Sequence, residues 1–191
     1  MIQIRKAIPD DAAWIHRTAE SLRYRPPGSE KGFLIHVRTG EDYRRILGAS
    51  QHSLAAVEGG RPVGFLIVLS MAELEELRKD VLARDKVVAH VLALGDATGL
   101  YADQIGVDLE ARSRGIGQHL ATAMMASNPS ARFLAAIMHK PARNTISLRL
   151  ALRNGWRLSS EVLDNEFVWG IYEFRLSGSP ANPLTGQPKD R

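Results

Sequence analysis

Between Gln104 and Leu120 the chain reads Gln-Ile-Gly-Val-Asp-Leu-Glu-Ala-Arg112-Ser113-Arg114-Gly115-Ile116-Gly117-Gln118-His-Leu, the stretch best equipped for chemistry. Alternation from Tyr101 to Val107 predicts a strand, and a helix is predicted to begin near Gly115 and run to about Ser127. The turn between them is rich in Arg and Gly. A helix N-terminus offers unpaired N–H groups and the positive end of the helix dipole to an anion. Glycine at 115 and 117 lets phosphate oxygens approach backbone that a Cβ would shield. The expectation is a pyrophosphate cradle, set against the plainer alternative of a turn that only packs a strand on a helix.

Two other phosphate motifs fail. The dinucleotide fingerprint needs a third Gly where Leu120 stands, and the P-loop needs a Gly-Lys dipeptide that the chain lacks. With no Cys there is no disulfide framework and no thiolate nucleophile, and the six His show no zinc spacing, so no metal is expected.

Length and composition bound the rest. The chain has 191 residues, 45% of them hydrophobic and 24% charged, which suits one globular core. A net charge of +4 favours anionic ligands without requiring nucleic acid. Arg149, Arg153 and Arg157 form a basic series whose spacing reads as a solvated face, with no aromatic residues interleaved, so no nucleic-acid partner is expected. No secretory signal is read at the N-terminus, and the apolar runs Phe65–Leu69 and Val87–Leu94 are too short to span a bilayer. A cytoplasmic protein with no membrane partner is expected, as a monomer or homodimer.

The elements that must hold the turn can be read in order. Ile2–Arg5 alternates as a strand, and a helix follows over about 11–22 until Arg25-Pro-Pro-Gly-Ser29 breaks it. A second helix is predicted around Glu41–Leu47. Ser53–Val57 and Val63–Leu69 form a hairpin around Gly59-Gly60. Residues 71–94 carry Leu74, Leu77, Val81, Val88 and Leu92 at helical spacing, read as one or two amphipathic helices packed on the core. Phe133–Met138 is a short buried strand, Asn144–Asn154 a helix stopped by Gly155, and Trp156–Leu163 with Phe167–Leu176 a closing hairpin. Residues 177–191 are too poor in large apolar side chains to pack and are expected to be a mobile tail after a domain of 1–176.

Arg112-x-x-Gly115-x-Gly117, after a strand ending at Val107, resembles the acetyl-CoA signature of the GNAT superfamily of N-acetyltransferases. Asn144-x-x-Ser147, followed by an amphipathic helix and Gly155-Trp156, resembles the family's second motif at its usual spacing. Element order agrees over about residues 2–176. The resemblance implies an α+β fold of αβα layers around a mixed, splayed sheet of about seven strands. It implies acetyl-CoA as co-substrate and a small-molecule or peptide amine as acceptor. It places Ile105, Val107, Arg112, Ser113, Arg114, Gly115, Ile116, Gly117, Gln118, Asn144 and Ser147 around the CoA, with the pantetheine arm between the strands ending at Val107 and Met138.

Direct transfer needs an unprotonated amine, hence a base near the strand ends. Asp103 and His139 are the candidates, each with a plainer role open to it: Asp103 as a structural hydrogen-bond acceptor on the face expected to carry Tyr101 and Ile105, His139 as a loop residue before Pro141. Asn144 has an equally plain reading as a helix N-cap. One position departs from the family: many members carry a Tyr seven residues after the Asn as general acid for the thiolate, and here Ala151 stands there. Tyr101, His139 or water then takes that role, or the chain is a non-catalytic acyl-CoA-binding module.

Overall fold

The computed structural model describes residues 1–25, 32–79 and 85–176. The break expected at Pro26–Ser29, the apolar Val81 and the expected tail at 177–191 lie outside the described residues.

Seven strands, β1 (Ile2–Lys6), β2 (Leu54–Glu58), β3 (Arg61–Ser70), β4 (Gly99–Val107), β5 (Arg132–Lys140), β6 (Arg157–Asp164) and β7 (Phe167–Arg175), make one sheet in the order β1-β2-β3-β4-β5-β7-β6. Every neighbouring pair is antiparallel except β4–β5, which is parallel. Parallel neighbours need a crossover, and helix α5 (Ile116–Ser127) supplies it.

Helices cover both faces. On one side α1 (Ala12–Ser21), α2 (Gly40–Ala49), α3 (Met71–Arg78) and α4 (Lys86–Leu94) bury Ile15, Tyr43, Ile46, Leu74 and Val88 against Phe65, Ile67 and Leu69 of β3. On the other, α5 and α6 (Thr145–Arg153) bury Ile116, Leu120, Met124 and Ala151 against Leu66, Val68 and Phe133. β3 is thus covered on both faces, which is why Phe65–Leu69 is continuously apolar rather than alternating. The β2–β3 connection is tighter than its composition suggests: both strands extend to the glycine pair, and Gly59 and Gly60 turn the chain alone at φ +56° and +79°.

The stretch 71–94 forms two helices, each started by a side chain of its own. Ser70 Oγ accepts from Glu73 N at 3.2 Å while Glu73 returns its carboxylate to Ser70 N at 2.8 Å, and Asp85 Oδ1 accepts from Val88 N at 3.1 Å.

Two irregularities of β4 position the site. Ile67 of β3 pairs with Gln104 and Val68 with Ala102, so Asp103 is an extra residue, a β-bulge. Side chains change face there. Tyr101 packs with the α1–α4 core, Ala102 and Ile105 pack with the α5–α6 core, and Gln104 bonds Tyr43 on the first side. The alternation expected to put Tyr101, Asp103 and Ile105 on one face is therefore broken, because one inserted residue reverses every side chain beyond it. The β4–β5 ladder, moreover, ends at Ala102–Ala135, although β4 continues to Val107 and β5 to Lys140. The sheet parts where β4 bulges.

Candidate active site

A cleft of about 790 Å³ opens at the glycine turn and runs from the start of α5 past Ile105–Val107 to α6. Gly115 caps α5 at φ +74° without a side-chain hydrogen bond, so no cap occupies the first-turn N–H groups. Ser113, two residues earlier, also stands in the left-handed region at φ +64°. Such a conformation is costly for a residue with a Cβ and recurs where backbone N–H groups are aimed at an anion. A Cβ at Gly115 would meet nothing within 4 Å, and one at Gly117 would meet only Ile105 and Leu150, at 3.7 and 3.8 Å. Both glycines thus face open space suited to a ligand rather than a packed wall.

The cleft walls sort the expected ligand residues. Ile105, Val107, Arg112, Ser113, Gly115, Ile116, Gly117, Gln118 and Ser147 all line it. Burial draws the Arg112 guanidinium below its ordinary pKa. Arg114 does not line the cleft: it bonds the Glu58 carboxylate at 2.8 and 2.5 Å, reaching away across the end of β2. Gln118 also exchanges amide hydrogen bonds with Asn154, at 2.7 and 3.2 Å, tying α5 to the end of α6. Arg149 and Arg153, expected on a solvated face, line the cleft opposite the glycines. The i, i+4 spacing is the same for a helix face toward water and one toward a cleft, and only the packing of α6 beside α5 decides between them.

Where β4 leaves β5 an inner cavity of about 100 Å³ continues the cleft, lined by Ala102–Ile105, Ala135, Ile137, Asn144, Leu150 and Ala151. Asn144 Oδ1 caps α6 by accepting from Ser147 N at 3.3 Å, and its Nδ2 donates to Phe33 O at 2.9 Å. The N-cap reading therefore describes its bonds. It also pins the segment before α2 over the strand ends.

The three catalytic candidates separate. Asp103 lies at the parting but is taken up by Arg38, whose guanidinium donates to both carboxylate oxygens at 2.7 and 3.3 Å; the two side chains are 6% and 7% exposed. Burial lowers the Arg38 pKa and Asp103 more than restores it, leaving it raised. Both carboxylate oxygens are thus engaged by one guanidinium in the interior, the geometry of the structural acceptor role also open to Asp103. Tyr101 is buried, and burial, then the carboxylates of Asp103 and Asp85, push its pKa well above the ordinary phenol value. It retains its proton and is a weak acid for a thiolate.

His139 closes β5 at the expected end yet lines none of the three cavities. Its Nδ1 is 2.6 Å from Glu161 Oε1 and its Nε2 3.0 Å from Tyr172 Oη. The imidazole lies over β7, where a Cβ on Gly170 would meet it at 2.4 Å. Its two bonds draw it toward β6 and β7, at the residue where the β5–β7 ladder shifts register.

Residues without a sequence signal complete the site. Gln104 Oε1 accepts from Tyr43 Oη at 2.7 Å, and its Nε2 donates to His36 O at 2.5 Å, holding the segment before α2 against the bulge. Burial pushes the Tyr43 pKa to about 12. A third cavity of about 50 Å³ lies beyond, lined by His36, Asp85, Tyr101, Asp103 and Trp169 among others, and it shares Phe33, Leu34, Asp103, Gln104 and Asn144 with the inner one. Among the described residues no cluster of three His, Cys, Asp or Glu could hold a metal, and no helix is long and apolar enough to cross a membrane.

No family model and no curated protein matches the sequence. Solved structures do. NAA60 of Arabidopsis thaliana, in complex with acetyl-CoA, has a TM-score of 0.62 at 18% identity, over 92% of this chain and 99% of that one. The putative acetyltransferase yncA of Salmonella typhimurium, with its cofactor acetyl-CoA, has a TM-score of 0.63 at 13% identity, over 96% and 99%. A polyamine N-acetyltransferase of Drosophila melanogaster that forms N-acetylagmatine has a TM-score of 0.59 at 16% identity, over 92% and 100%. The chain has the fold of the GNAT acetyltransferases: a mixed, open sheet of seven strands between two helical layers.

Proposed function

We propose that the protein is an acetyl-CoA-dependent N-acetyltransferase that moves the acetyl group directly to an amine of a small molecule or peptide. The observation that carries this reading is the continuous cleft from an uncapped, glycine-lined helix start to the point where β4 parts from β5. That shape suits a ligand with a diphosphate at one end and a narrow arm at the other, and the fold neighbours solved with acetyl-CoA support it. The reading keeps the protein in the cytoplasm, as a monomer or homodimer.

The chain's own residues divide the work. The N-terminal turn of α5 at Ile116 and Gly117 would bind diphosphate oxygens, with Arg112, Arg149 and Arg153 supplying positive charge around them. Backbone groups of Ile105–Val107, on the β4 edge released from β5, would hold the arm's amides as a strand neighbour would. Acetyl-CoA supplies an activated thioester. The bulge and the apolar wall of Ala135, Ile137 and Leu150 would orient its carbonyl and keep water away.

Two measurements test the reading. Acetyl-CoA should raise the melting temperature with concentration, and a panel of primary amines should release free CoA faster than the uncatalysed rate. One observation favours a second reading, a non-catalytic acyl-CoA-binding module: Ala151, with no proton to give, faces the inner cavity. CoA binding without turnover across the panel would select it.

A further inference from the structure

The third cavity joins the inner one from the α4 side of β4, opposite the cleft, so a second molecule entering there would meet the end of the pantetheine arm. Its chemistry is specific. Trp169 is 7% exposed, and its Nε1 is the one buried side-chain nitrogen or oxygen among the described residues with no hydrogen-bond partner. Folded proteins seldom leave such a donor unmade. The indole is stacked on His36 at 5.6 Å between centroids and 19° between planes.

Charge is unbalanced in the same place. Asp103 is neutralised by Arg38, whereas Asp85, at the N-terminus of α4, adds a second carboxylate to the lining. Burial holds Asp85 above the ordinary carboxylate range, with Asp103 adding to the effect and His36 and Arg38 opposing it. The lining therefore holds two carboxylates, of which Asp103 is bonded to Arg38 and Asp85 is the second. Its volume of about 50 Å³ compares with roughly 10–15 Å³ for one water on the same kind of measure, so it admits the end of an unbranched chain and excludes a bulky group.

Resting on the acetyltransferase reading, we propose that this cavity receives the acceptor as a primary alkylammonium bearing an uncharged oxygen along its chain: Asp85 takes the ammonium, and Trp169 Nε1–H donates to the oxygen. The ammonium passes one proton to the Asp85 carboxylate. The freed nitrogen lone pair forms the N–C bond as the C–S bond breaks, the nitrogen's second proton leaves with the thiolate to give the thiol, and Asp85 returns its proton to water.

The test uses the intact protein without acetyl-CoA, labelled with ¹⁵N at tryptophan. Its three indole N–H signals, from Trp14, Trp156 and Trp169, are assigned by Trp→Phe variants. Methoxyalkylamines with two to four methylenes are titrated against n-alkylamines of matched length. At least one ether amine should shift the Trp169 signal and bind about fivefold or more tighter than its alkyl match. Trp169→Phe should remove that preference, and Asp85→Asn should weaken every primary amine about tenfold while the other two indole signals stay in place. An unmoved Trp169 signal across the series, or equal binding of ether and alkyl amines, overturns the proposal even when acetyl-CoA binds. The expected shifts without any effect of acetyl-CoA on the melting temperature would support the subsite and reject the acetyltransferase reading.

Discussion

Arg38 closes both its terminal nitrogens on the Asp103 carboxylate at the residue where β4 bulges against β3, next to the last β4–β5 pair. The pair joins the segment before α2 to the parting of the sheet, and both side chains are almost wholly buried. Removing one partner leaves a charge stranded in the interior. Arg38→Met should destabilise the fold by roughly 3–5 kcal/mol in chemical denaturation, and Arg38→Met with Asp103→Leu should recover most of that loss. If the single and double variants prove equally unstable, the pair is not what holds the bulge. Since Asp103 is paired rather than poised, Asp103→Asn should not shift the pH profile of turnover.

Gly117 offers a test of the cradle that does not threaten the fold. A Cβ there would touch Ile105 and Leu150 at ordinary distances, whereas at Gly115 it would demand a left-handed backbone from a residue that resists it. Gly117→Val should therefore fold while losing most of the acetyl-CoA-induced rise in melting temperature. Gly115→Ala should lower the melting temperature even without ligand, at a cost of about 1 kcal/mol. Equal ligand response in Gly117→Val and wild type would place the diphosphate elsewhere.

The basic wall of α6 can be weighed against its neighbour in sequence. Arg149→Ala and Arg153→Ala should each weaken CoA several-fold at low salt, less so at high salt, because both line the cleft proposed for the diphosphate and would act on it across solvent. Arg157, at the exposed start of β6 and outside the cleft lining, should be silent in the same titration.

These residues mark how far the sequence could be read. The glycine turn was legible because its chemistry is local: strand, Arg, Gly and helix start follow one another within a dozen residues, and each constrains the next. Gly117 and Arg112 line the cleft at the start of α5. Asp103 was found without its partner, since Arg38 lies 65 residues away and nothing in the spacing announces a bulge. His139 lies at the expected strand end, but its ring bonds Glu161 and Tyr172 over β6 and β7, partners that no local pattern announces. Asp85 and Trp169 carry no motif at all. They come from a helix cap and a late strand, and only the folded sheet with its helices brings them to one cavity.

Asp85 makes the stability of the fold respond to acid in a defined direction. Burial raises its pKa in the folded protein above the unfolded value, so the folded state binds more protons between the two and loses stability as pH rises through that window. Asp85→Asn keeps a side-chain oxygen to cap α4 and removes the buried charge. The variant should melt higher than wild type at pH 7, and the gain should fade below about pH 4, where the wild-type carboxyl is protonated in both states. A gain independent of pH would mean that the cap geometry, not the charge, had changed.

Ala151 is the position at which adding a group is more telling than removing one. It is 8% exposed and faces the inner cavity of about 100 Å³, so a tyrosine ring there has no place to go except the space proposed for the pantetheine arm. Neither donor expected to replace the missing phenol is suited to the work: Tyr101 holds its proton too firmly, and His139 lies over β7. A separate acid is nevertheless unnecessary if the attacking nitrogen, positively charged once the N–C bond forms, gives its own proton to the departing thiolate. On that argument Ala151→Tyr restores nothing the reaction lacks. It should weaken acetyl-CoA about tenfold, read as a rise in KM and a smaller thermal shift, and should change kcat by less than about twofold. A tenfold or larger rise in kcat with unchanged acetyl-CoA affinity would show instead that thiolate departure limits the natural protein and that a phenol at this position supplies the missing proton.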